Sequence, residues 1–231
     1  MPARDRDAFE QLPYTPPPGA TEVVLVRHGA SAAAIAGVPF PVVDGRANPP
    51  LSEVGQAQAR SVAARLKHER VARLFVSPLR RTRESAAPLV EATGMQPEVV
   101  PDLTEVFLGD FDGGEYRVRV GRNDPIIQKV FAEQRWDAIP NAESLEDLGR
   151  RVRAAIDHIV AETGPDASAV AFAHGAVIGE LCRQATASRP FAFVHSDNGS
   201  ISRLVVGADG RWLLRSFNDI AHLTAPTGPV G

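Results

Sequence analysis

Val23-Val24-Leu25-Val26-Arg27-His28-Gly29 decides the fold of this chain. Four consecutive apolar, mostly β-branched residues bounded by turn chemistry are the pattern of a buried strand. An arginine, an imidazole and a glycine follow where that strand ends. In open α/β sheets, ligands bind in the crevice outside the carboxyl ends of the strands. The first strand therefore delivers a nucleophile-capable histidine and a phosphate-capable arginine to a ligand crevice.

Strand and helix signals alternate from residue 21 onward. The first strand is expected at 22–27, followed by a glycine- and proline-punctuated segment, 30–50, that reads mostly as a long loop. Long irregular segments in compact domains are usually functional or disordered. A helix is expected at 52–69, capped by Ser52, with Val62 and Leu66 on its apolar face. Arg73-Leu74-Phe75-Val76-Ser77 is a second buried-strand pattern, leading into a helix at 79–93 that Gly94 ends. A short strand is expected at 96–100. Residues 101–142 read as irregular apart from a helix at 125–134. A long helix at 143–162 carries Val152, Ile156 and Ile159 at core spacing. A third buried strand, 169–173, precedes a helix at 175–184. Strands at 201–206 and 212–217 flank Asp209-Gly210, a hairpin signal. The expected class is α/β: a three-layer α/β/α sandwich with a mostly parallel central sheet and a C-terminal antiparallel hairpin.

The chain has 231 residues, 44% of them hydrophobic, and a formal net charge of −3. That length fits one sizeable domain, here residues 21–231, preceded by a flexible proline-rich tail at 1–20. A nucleic-acid binder would show a basic excess. No apolar stretch approaches the roughly 18 residues that span a bilayer. The N-terminus lacks the apolar core of a secretory signal. The single cysteine, Cys182, excludes an internal disulfide framework. A cytoplasmic enzyme is expected, with no nucleic-acid or membrane partner; the oligomeric state, a homodimer included, stays open.

Three strand ends deliver polar residues to one sheet edge: Arg27-His28-Gly29, Ser77-Pro78-Leu79-Arg80-Arg81 and His174-Gly175. This set meets the needs of phosphoryl transfer through histidine. The transferred group spreads charge over three oxygens, and arginines clamp such oxygens with paired, charge-assisted bonds. A neutral imidazole can attack phosphorus and split one hard step into two. Nearby cations keep that imidazole neutral. A second imidazole can stabilise the transition state, and a carboxylic acid can protonate the leaving oxygen. No metal or cofactor is required. The histidine spacings form no zinc cluster, and no dinucleotide fingerprint follows the first strand. His68 and His158 fall in helical patterns and read as surface or structural; Cys182 reads as packing.

Six segments, in order, resemble the histidine phosphatase superfamily, which includes phosphoglycerate mutases and many phosphatases. They are Leu25-Val26-Arg27-His28-Gly29-Ala30-Ser31, Pro50-Leu51-Ser52-Glu53-Val54-Gly55-Gln56-Ala57-Gln58-Ala59, Ser77-Pro78-Leu79-Arg80-Arg81-Thr82-Arg83-Glu84-Ser85-Ala86, Leu103-Thr104-Glu105, Ala173-His174-Gly175-Ala176-Val177-Ile178 and Asn198-Gly199-Ser200-Ile201. The resemblance implies that His28 is the phosphorylated nucleophile and Glu105 the proton donor. It implies a phosphate pocket of Arg27, Arg81, His174, Gly175 and Ser31, with Arg80 on the helix surface. Two positions depart from the pattern. Ala34 stands where many members carry asparagine, and Phe111-Asp112-Gly113 where many carry tryptophan-glutamate-glycine. Asp102, Asp110 and Asp112 therefore compete with Glu105 as donors.

The expected activity is hydrolysis of a small phosphorylated metabolite through a phosphohistidine, without a metal. A phosphoglycerate mutase-type transfer and a degenerate member that binds a phosphorylated ligand without turnover are the alternatives. Segments 32–50 and 106–142 are expected to overlie the pocket and set specificity. Arg117, Arg119 and Arg122 either meet a second acidic group or form a solvated face, the reading favoured.

Overall fold

The computed structural model describes residues 10–223. Its central sheet has six strands: β1 (Thr21–Arg27), β4 (Arg73–Val76), β5 (Glu98–Val99), β6 (Ala167–Ala173), β7 (Ile201–Val206) and β8 (Trp212–Asp219). A separate two-stranded hairpin, β2 (Val42–Val43) and β3 (Arg46–Ala47), lies in the segment read as loop. Strands of two residues are too short to carry a periodic signal. The sheet order is β5-β4-β6-β1-β7-β8. The first four run parallel, and β7 is antiparallel to both its neighbours.

Alternation along β1 splits the core in two. Val23 and Leu25 pack with Val152, Ile156 and Leu181 of α5 (Leu145–Thr163) and α6 (Gly175–Thr186). Val24 and Val26 pack on the opposite face with Val62, Leu66 and Leu89 of α1 (Glu53–Leu66) and α2 (Arg80–Thr93). The result is the expected three-layer α/β/α sandwich. β1 is central and covered on both sides, so each of its four apolar side chains is fully buried. Each such side chain contributes about 1.5–3 kcal/mol of burial.

One helix starts later than the sequence reading, and one is additional to it. α5 begins at Leu145, because Ser144 caps it by accepting from the Asp147 amide at 3.1 Å. Glu143 stays outside the helix. Within 101–142, α4 (Pro125–Glu133) matches expectation, but α3 (Glu115–Gly121) is additional. Gly114 precedes α3 at φ +104, and no residue of α3 is buried. Residues 1–9 of the expected tail lie outside the described residues. Residues 10–16 form no regular element, yet Tyr14 lies under the Arg215 guanidinium at 3.7 Å and Gly19 donates to Asp166. Among the described residues, no helix is long and apolar enough to cross a membrane.

Candidate active site

The turn after β1 is held from three directions. The His28 amide donates to Ala173 O of β6 at 3.1 Å, and the Arg27 amide to Ser200 O at 3.0 Å. Asn198 Nδ2 and the Gly199 amide donate to His28 O. On the other side the turn rests on the N-terminus of α1. A Cβ on Gly29 would stand 2.4 Å from Gly55 O, and one on Gly55 only 1.9 Å from Ala30 O. Both positions need glycine for this approach. Ser85 and Gln58 side chains accept the next two amides, of Gly29 and Ala30.

His28 is buried, and its Nδ1 lies 2.7 Å from Gly29 O. A carbonyl only accepts, so the ring proton sits on Nδ1. Nε2 is left with a lone pair, which accepts from Arg81 Nε at 3.2 Å. Arg81 is itself buried and also donates to Ala47 O at 2.7 Å. Burial first, then the Arg81 and Arg27 cations, push the His28 pKa well below the usual imidazole range. His174 is pushed the same way by burial and Arg81. Both rings are therefore neutral at neutral pH. Burial also brings Arg81 down, to about 10, against support from Glu105.

The structure brings His28, Arg27, Arg81, Glu105 and Gly175 to one cavity of about 550 Å³. Arg27 bonds the Ser196 carbonyl and packs against Gly175 at the start of α6. A helix N-terminus adds favourable potential for an anion. His174 sits behind the cavity wall. It is fully buried, 5.1 Å from the His28 ring, with Nε2 bonded to Ser77 Oγ at 2.8 Å. Among the described residues, Arg27 Nε and His174 Nδ1 are buried without a hydrogen-bond partner. Ser31 is placed differently from the expectation: it does not line the cavity, because Arg117 captures its hydroxyl at 2.6 Å. Arg80 is on the helix surface, paired with Glu84.

The competing carboxylates are committed elsewhere. Asp102 and Asp110 are exposed and do not line the cavity. Asp112 lines it, but its oxygens accept the amides of Ala47, Gly113 and Leu108. Glu105 accepts only from its neighbour's amide, Val106 N, at 3.0 Å. Its main chain is clamped instead. Arg46 Nε donates to Glu105 O at 2.7 Å, and Arg151 donates to the carbonyls of Asp102, Thr104 and Glu105. Glu143 ties this clamp down, accepting from Arg151 at 2.6 and 2.8 Å and facing Arg46 at 3.8 Å.

A profile of the histidine phosphatase superfamily (branch 1) matches residues 23–220. The chain belongs to that superfamily. Its sequence is 28% identical over 212 residues to the probable phosphoglycerate mutase GpmB of Yersinia enterocolitica, spanning 89% of this chain and 96% of the relative. The structure of mycobacterial glucosyl-3-phosphoglycerate phosphatase is similar at a TM-score of 0.71 and 26% identity, over 86% of this chain and 99% of that one. A phosphoglycerate mutase from Bacillus anthracis, 21% identical, shares the fold at a TM-score of 0.72, over 89% and 96% of the two chains.

Three residues of this histidine phosphatase superfamily member escaped the sequence reading. Arg151 acts on backbone carbonyls and Glu143 holds Arg151 and accepts from the Phe107 amide, so no side-chain motif announces them. Arg117, favoured as part of a solvated face, is exposed and also lines the cavity. It donates to Ser31 Oγ and Ala32 O and has no carboxylate partner among the described residues. Its charge acts on both Arg27 and His28. Arg119, by contrast, is spent on Glu115 and Asp124.

Proposed function

We propose that this chain is a phosphatase that hydrolyses phosphate monoesters through a phosphohistidine on His28. The observation that carries the reading is the His28 tautomer. Gly29 O holds the proton on Nδ1 and leaves the Nε2 lone pair beside a buried arginine in the cavity. Arg27, Arg81 and Arg117 supply the positive charge that a phosphoryl group needs.

In the first step Nε2 attacks phosphorus as Arg81 turns its N–H from the ring to a phosphoryl oxygen. The P–O ester bond breaks, and Glu105 gives its proton to the leaving oxygen. In the second step Glu105 takes a proton from water, whose oxygen attacks phosphorus. The P–N bond breaks and its electron pair returns to Nε2. The sum is ester plus water to alcohol plus phosphate. In the tautomer where Ser77 Oγ donates to His174 Nε2, the ring proton of His174 is on Nδ1, a buried atom without a partner behind the cavity wall and beside the His28 ring, and we assign it to a phosphoryl oxygen once His28 carries the group.

The mycobacterial phosphatase likeness supports hydrolysis, and the mutase name of the Yersinia relative supports transfer back to substrate. The cavity wall supports hydrolysis: with Arg27, Arg81 and Arg117 around the phosphoryl group and Arg46 facing Glu143, no further arginine among the described residues lines it to hold the second acidic group of a mutase intermediate. Steady-state hydrolysis of an alkyl phosphate by wild type and His28→Ala, with rapid-quench trapping of the acid-labile phosphoenzyme, tests the reading. Full activity in the variant sinks it. Isomerisation of 3-phosphoglycerate faster than phosphate release, with a trace of the 2,3-bisphosphate present, reassigns the chain as a mutase.

A further inference from the structure

The cavity is larger than a phosphoryl group needs. At about 550 Å³ it falls among sites that enclose whole organic ligands, roughly 300–1,000 Å³. Away from the arginines its wall is mainly apolar: Phe40, Leu108, Phe111, Val120, Phe131 and Trp136, with Tyr116, His195, Ser196 and Asp197 among them. The rings hold one another in place. Trp136 meets Tyr116 edge-on at 6.2 Å, and Phe131 stacks on His195 at 5.7 Å. Phe40 closes against Gly114, where a Cβ would stand 2.9 Å from its ring.

The charged groups of this wall have partners already. All the bonds of Asp112 go to backbone amides, Arg46 is held by Glu105 O and Asp44 O, and Asp197 accepts from Asn218. Arg117 is anchored on Ser31 and Ala32 beside Arg27 and His28, which places it with the phosphate. A leaving group with a carboxylate or several hydroxyls would lose water against rings and find few partners. An apolar leaving group gains by the same burial.

We propose that the preferred substrates are phosphate monoesters of bulky, mainly apolar alcohols, whose aryl or alkyl group lies against Phe40, Phe111, Phe131 and Trp136. Phosphoglycerate-type acids are correspondingly poor ligands. Turnover of these esters rests on the phosphatase reading above; the ligand preference does not.

Alkyl phosphonates, whose P–C bond resists hydrolysis, separate the two. Binding of methyl-, propyl-, hexyl- and 3-phenylpropylphosphonate to the wild-type chain is measured by calorimetry against 3-phosphoglycerate. The expected result is a Kd that falls about fourfold per methylene until the cavity fills, with 3-phosphoglycerate weaker than the phenylpropyl compound. The primary alkyl phosphates, whose alcohols have nearly equal pKa values, are expected to follow the same order in kcat/KM. Val120→Asp, at a wall position that is 45% exposed, is expected to flatten the binding series. A flat series in wild type, or tighter binding of 3-phosphoglycerate, overturns the proposal. A rising series without turnover or phosphoenzyme leaves the preference standing and removes the phosphatase reading instead.

Discussion

His28 and Phe131 face one cavity but hang from different kinds of structure. The phosphate end is built from strand termini and helix starts: Arg27 and His28 after β1, Arg81 at the start of α2, Gly175 at the start of α6. Its atoms are fixed by the sheet and by a glycine-to-glycine contact. The other end is built from the β2–β3 hairpin region, from α3 and α4, and from a turn around Trp136. None of these elements belongs to the central sheet. The contrast teaches that the proposed covalent chemistry is tied to the stability of the fold, while the proposed recognition of the leaving group is held by elements the sheet does not need.

Stability measurements sharpen that contrast most. Leu25→Ala removes a fully buried side chain from the central strand and is expected to cost about 2–5 kcal/mol. Val120→Asp in the other region is expected to cost within about 0.5 kcal/mol. Urea unfolding of both variants checks this, and equal costs would erase the distinction. Next comes the clamp on Glu105. Arg151→Met frees the carbonyls of Asp102, Thr104 and Glu105 and is expected to lower kcat on the order of 10²-fold through misplacement of the acid. Inorganic phosphate should still bind with wild-type affinity, because Arg27, Arg81 and Arg117 are untouched. A change confined to KM would argue against a positioning role.

A smaller effect follows from the two neutral histidines. His28 and His174 have folded pKa values well below the ordinary 6.5. Below that pH the unfolded chain binds protons that the folded chain refuses. Their contribution to stability is therefore level above about pH 6.5 and falls as pH drops, by up to about 1.4 kcal/mol per pH unit for each ring. His174→Gln should remove one proton from the slope of unfolding free energy between about pH 5 and 6.5. An unchanged slope would mean that the His174 ring titrates normally in the fold. The smallest expected signal concerns Cys182, fully buried, with its thiol pushed up to about 12. Thiol reagents should label it only after denaturation.

The two regions also differed in how far they could be read from sequence. β1, β4, β6 and the terminal hairpin announce themselves through short apolar runs and turn signals, and they bring four of the arginines and histidines with them. α3 did not, because Arg117-Val118-Arg119-Val120 alternates with a period of two, against the helical period. It is helical through tertiary support: Gly114 caps it, Arg119 bridges Glu115 and Asp124, and that guanidinium lies 4.3 Å over the Phe111 ring. Arg117 could not be told from a surface cation until α3 was placed. Glu105 was legible as a carboxylate in a motif, but the clamp that orients it lies in Arg46 and Arg151, whose partners are main-chain oxygens that no residue pattern displays, and in Glu143, which holds both arginines.

α3 also makes the molecule unusually open to redesign. It is seven residues long, buries none of them fully, and starts from a glycine whose φ sets its direction. Exchanging those residues as a cassette, with Arg117 kept, would alter what the proposed site accepts without rebuilding its nucleophile. A library confined to this helix would therefore sample new catalytic partners from an otherwise constant chassis.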